Sequence, residues 1–131
     1  MIRKYNKSFK IKELIAYCII GYRRYYPKKN ETKKDKLRYI VKNVLDVSNE
    51  VENAPELINK ELLESIDINW RFNTDDLLAY ATNTFYMLIA NETNITEQKI
   101  VERLKKELKD NHPRDVVKYA NSSLDDLFLN S

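Results

Sequence analysis

Glycine is nearly absent from this 131-residue chain, which holds one, Gly21, beside three prolines, one cysteine and one histidine. Phosphate-cradling loops of both common kinds need several glycines close together, so a single one excludes them. Hairpins and sheets lean on Gly-rich turns, and a chain this poor in turn-makers is built from helices joined by short polar links. Cys18 alone forms no intramolecular disulfide and belongs to no CxxC zinc pattern. His112 alone does not make a His-based zinc site, and just before Pro113 it reads as a cap or surface residue rather than a base. HExxH motifs and EF-hand loops are missing too, and no Ser/His/Asp set can be defended. Glu61 and Glu64 share a helix face at i,i+3, where such a pair is ordinarily solvated rather than sunk in a cleft. The expectation is therefore no catalytic residues, no metal, no cofactor and no small-molecule substrate.

Long hydrophobic runs are lacking as well. Leu14 to Ile20 is too short to span a bilayer, and Leu77 to Ala90 is short and carries Thr82, Asn83 and Thr84. Met1-Ile2-Arg3-Lys4 is not followed by the apolar core of a signal peptide. A soluble, cytoplasmic protein without membrane contact is expected.

What is present is a 43% apolar composition, enough to bury one core. The periodicity predicts an all-α single domain over 1–131, a bundle of five to seven helices behind a flexible basic tail at 1–7. Ser8 is expected to cap a first helix from Phe9 to Tyr26, ended by Pro27. Apolar residues on two of its faces make it either central or covered by a partner. Thr32 and Asp35 resemble a capping box opening a second helix that reaches Glu52. Asn53, Pro55 and Glu56 signal a third, using Leu57, Ile58, Leu62, Leu63 and Ile66. Trp70 and Phe72 should plug the core from an irregular link. Asn73 and Thr74, with Asp75 and Asp76 where the helix dipole favours them, should start the central apolar helix, 74–90. Asn94 or Thr96 should cap an amphipathic helix to Asn111, with a short helix after Pro113 and a last turn from Ser123.

Charge is strongly segregated. Residues 1–42 carry 14 basic and 3 acidic side chains, 43–98 carry 2 basic and 11 acidic, and the remainder is nearly balanced. Tyr5, Tyr17, Tyr22, Tyr25, Tyr26 and Tyr39 lie in the basic block. Cations neutralise phosphates and aromatic rings stack on unpaired bases, so the mixture suits a nucleic acid or another anionic partner such as an acidic protein surface. The candidate binding residues are Lys10, Tyr17, Arg23, Arg24, Tyr26, Lys28, Lys29, Lys33, Lys34, Lys36 and Arg38. Two alternatives stand beside this. The acidic helices of 43–98 could form a protein-binding face through Asp46, Glu50, Glu52, Glu56 and Asp67, as in an inhibitor or immunity-type protein of phage or mobile-element kind. The opposite blocks could also pair within one fold or hold a homodimer together. No helix-turn-helix is convincing, since the link Pro27 to Glu31 lacks glycine and is lysine-rich.

Overall fold

Thr32 and Asn73 begin the two longest helices in the same way. The computed structural model describes residues 8–64 and 71–110. In it, the Asp35 amide donates to Thr32 Oγ1 at 3.0 Å while the Thr32 amide donates to Asp35 Oδ2 at 3.3 Å. The Asp76 amide donates to Asn73 Oδ1 at 2.8 Å, and the Asn73 amide returns to Asp76 Oδ2 at 3.0 Å. Each exchange satisfies amides that a helix start leaves without partners. The helices that follow are α2, Lys33–Glu50, and α4, Thr74–Asn91. They join α1 (Ile11–Arg23), α3 (Lys60–Glu64) and α5 (Glu97–Asp110), so the described residues form an all-α, bundle-like fold. A two-residue ribbon supplements it: β1, Phe9–Lys10, pairs antiparallel with β2, Arg71–Phe72, placing Phe9 opposite Phe72.

The ribbon revises the expected start of α1. Phe9 and Lys10 are extended rather than helical, and Ser8 does not cap the helix; its hydroxyl accepts from Arg71 Nε at 2.9 Å. The Lys10 amide instead donates to Glu13, at 2.9 Å. The helix also stops at Arg23, before Pro27 is reached. Phe9 and Phe72 are both buried, their rings edge-on to Tyr17 and Tyr80. Phe72 thus plugs the core as expected, from a strand. Trp70 lies outside the described residues, as do the basic tail, Ile66, Asp67, His112, the segment after Pro113 and the turn from Ser123.

Helix α4 is buried through Leu77, Ala79, Tyr80, Ala81, Phe85 and Leu88, and packs against α2, α5 and β2. Helix α1 is enclosed more continuously still. Every residue from Leu14 to Gly21 is buried, between α2, α5, both strands and the turn after α2. This decides the two-faced pattern in favour of a central helix. At the α1–α2 crossing, a Cβ on Gly21 would stand 2.8 Å from Val44 Cα and 2.7 Å from Val44 Cγ2. Only glycine allows that approach.

The third helix is broken where one continuous helix was expected. Asn53 takes a left-handed conformation (φ 54°), Ala54–Leu57 form a single 3-10 turn, and Ile58 returns to extended backbone before α3. The break turns Ala54, Ile58 and Leu63 inward while Leu57 is left 57% exposed. At α5, the Lys99 amide donates to Thr96 Oγ1 at 3.2 Å, so Thr96 is the cap. Inside α5, the buried Glu107 carboxylate is held by Arg103 one turn earlier. No helix among the described residues is long and apolar enough to cross a membrane.

Candidate functional site

The link from α1 to α2, residues 24–32, and the first turn of α2 gather most of the cationic candidates. The link runs back along α2 rather than away from it. Lys28 Nζ lies 3.9 Å from the centre of the Tyr39 ring, and Lys36 Nζ lies 5.7 Å from that of Tyr25. These ammonium groups sit over the negative faces of the rings, which hold them without removing their charge. Between them the Glu31 amide donates to the Lys28 carbonyl at 3.4 Å, closing a turn in which Asn30 takes positive φ (63°). Asparagine tolerates that region better than a bulkier residue does.

The structure divides the candidate residues into three groups. Arg23, Arg24 and Arg38 are engaged within the chain. Arg23 grips both carboxylate oxygens of Glu97, at 2.7 and 3.0 Å, and donates a third bond to the Leu57 carbonyl at 3.1 Å. Arg24 meets Glu50 at 3.0 Å and Arg38 meets Asp35 at 3.1 Å. Lys28, Lys29 and Lys33 form the second group and are exposed, with Lys34 and Lys36 half-buried beside them. Tyr26, 80% exposed, belongs with these. Lys10 is also exposed, but lies on β1 at the opposite end of α1 from the link.

Tyr17 forms the third group and is a correction. It is 2% exposed, packed edge-on against Phe9, and its hydroxyl donates to Glu13 at 3.4 Å. Burial first, then the Glu13 charge and hydrogen bond, push its phenol up to about 12. Its ring offers no face to a ligand. Tyr22 is likewise committed, stacked between Tyr25 and Phe85. Asp35 is fastened by the cap: bonds from Thr32, with the nearby Arg38 and Lys34 charges, hold its carboxyl below the usual range.

The acidic alternative face is also subdivided. Glu50 is tied to Arg24, Asp46 is half-buried, and Glu52 and Glu56 are exposed near the 3-10 turn that carries Leu57. Asp67 lies outside the described residues. Glu97 and Glu50, which neutralise two of the candidate arginines, were not singled out as their partners by sequence. The segregation of charge was the signal available, but it carries no pairing register. Cys18 is wholly buried, and burial alone pushes its thiol far upward, away from the reactive thiolate form. Among the described residues no group of three or more His, Cys, Asp or Glu side chains is arranged to hold a metal ion. Comparison with protein-family models, with curated proteins and with solved structures gave no match.

Proposed function

We propose that this chain is a non-catalytic binding protein that presents the lysine-rich link and first turn of α2 to an anionic partner, nucleic acid foremost. The observation that carries the reading is the exposure of Lys28, Lys29 and Lys33 beside Tyr26, on a segment whose arginines are already paired. Residues 26–38 hold six basic side chains against Glu31 and Asp35, and Asp35 is occupied by the cap. Lys33 and Lys34 also stand in the first turn of α2, where the helix dipole favours anions. Cations there cost a little stability, and a bound phosphate would offset that cost.

Charge reversal tests this directly. Lys28, Lys29 and Lys33 replaced together by glutamate should abolish binding to an oligonucleotide in a fluorescence titration. Folding stability should change by less than about 1 kcal/mol, because exposed charges and an exposed cation–π contact contribute little. Retained binding in the folded variant would remove the link from the interface.

A second reading rests on Leu57. Its exposed side chain on the 3-10 turn, flanked by exposed Glu52 and Glu56, would suit a protein partner with a basic rim around an apolar pocket. An inhibitor acting there would lose its partner on Leu57→Asp and be indifferent to the lysine reversal.

A further inference from the structure

Resting on the reading of the link as an anion-binding surface, we propose that it takes unpaired nucleic acid, with the Tyr26 ring as the stacking platform for a base. The tyrosines of the basic block are not equivalent. Tyr17 is buried against Phe9, and Tyr22 stacks on Phe85 at 5.8 Å and on Tyr25 at 6.2 Å. Tyr25 carries Lys36 over its ring, and Tyr39 carries Lys28 at 3.9 Å with Arg38 at 5.7 Å. These four rings build the core or hold the cations in place. Tyr26 does neither, and stands 80% exposed.

Its position supports the assignment. Pro27 follows immediately, and a residue before proline is driven toward extended backbone, so the ring is presented from a restricted segment. Lys28 and Lys29 come two and three residues later, within about 11 Å along even a fully extended chain. With backbones that close, the ring and the two lysine side chains can engage the base and the backbone phosphates of the same stretch of strand. A duplex keeps its base faces stacked inside and is read through its grooves, commonly by a helix or a two-stranded ribbon. The link presents an irregular turn with a free ring, which suits a strand whose bases are already unstacked.

The test compares three probes: a single-stranded oligonucleotide of about 12 nucleotides, a hairpin duplex of matching sequence, and heparin. The parent should prefer the single strand. Tyr26→Ala should weaken single-strand binding roughly five- to 150-fold, while leaving its salt dependence and the heparin affinity unchanged. Tyr26→Phe should retain single-strand affinity, because the ring and not the hydroxyl does the stacking. Equal affinity for duplex or heparin, or indifference of single-strand binding to Tyr26→Ala, overturns the stacking proposal and leaves the anion-binding surface standing. Failure of the parent to bind any of the three overturns both. Since Tyr26 is exposed, unchanged melting of both variants will separate lost stacking from lost fold.

Discussion

At the scale of single residues, Gly21 is the position where two general effects oppose each other and distance decides. A glycine inside a helix costs about 0.5–1 kcal/mol relative to alanine. Replacing it by alanine would ordinarily gain that much. Here the new methyl group would stand 2.8 Å from the Val44 backbone, which cannot move without shifting α2. Overpacking of that kind costs about 1–3 kcal/mol, so the penalty wins. Gly21→Ala should lower stability in urea unfolding, and an unchanged or raised midpoint would contradict the crossing geometry. Scarcity made Gly21 noticeable in the sequence, but nothing there told which helix would come close to it. Tyr17 illustrates the same gap in reverse. A tyrosine within the basic block reads as a binding residue until its burial, with every residue from Leu14 to Gly21, shows that it belongs to the core.

At the scale of elements, local signals decided where helices start, and tertiary contacts overruled them where the two conflicted. Thr32 with Asp35 and Asn73 with Asp76 are short-range exchanges that need nothing but the chain itself, so α2 and α4 were legible. Asn73→Ala would remove the side-chain acceptor at α4 while leaving the core untouched. It should cost about 1 kcal/mol, read as a lower melting temperature; Asn73→Ser should recover most of it. No loss on alanine substitution would mean that packing alone holds the first turn. The ribbon of Phe9 with Phe72 could not be read from sequence, because two residues are too few to show a strand period and their partners are 61 and 63 positions away. The broken third helix has a similar cause. Pro55 and Glu56 open only a single 3-10 turn, not the expected helix, because Ile58 is buried from extended backbone against the surrounding helices before α3 begins at Lys60.

At the scale of the whole molecule, the opposite charge blocks meet within one chain. Arg23 with Glu97 and Arg24 with Glu50 join the basic segment to the acidic helices. Such part-exposed pairs are each worth at most about 1 kcal/mol, so they orient surfaces more than they stabilise the fold. Their larger effect is to leave the basic surface concentrated on the lysines of the link. The blocks themselves were plain in the sequence. Which cations would be consumed internally was not, since pairing depends on helix crossings.

The central claim is that Lys28, Lys29, Lys33 and their neighbours bind phosphates, and the salt dependence of affinity measures that most directly. Each neutralised phosphate releases a counterion, with a slope of about −0.7 per contact on a single strand. Three or four lysine contacts predict a slope of about −2 to −3 in a plot of log affinity against log salt for the parent chain. A slope near zero, or no measurable binding even at low salt, would contradict the account.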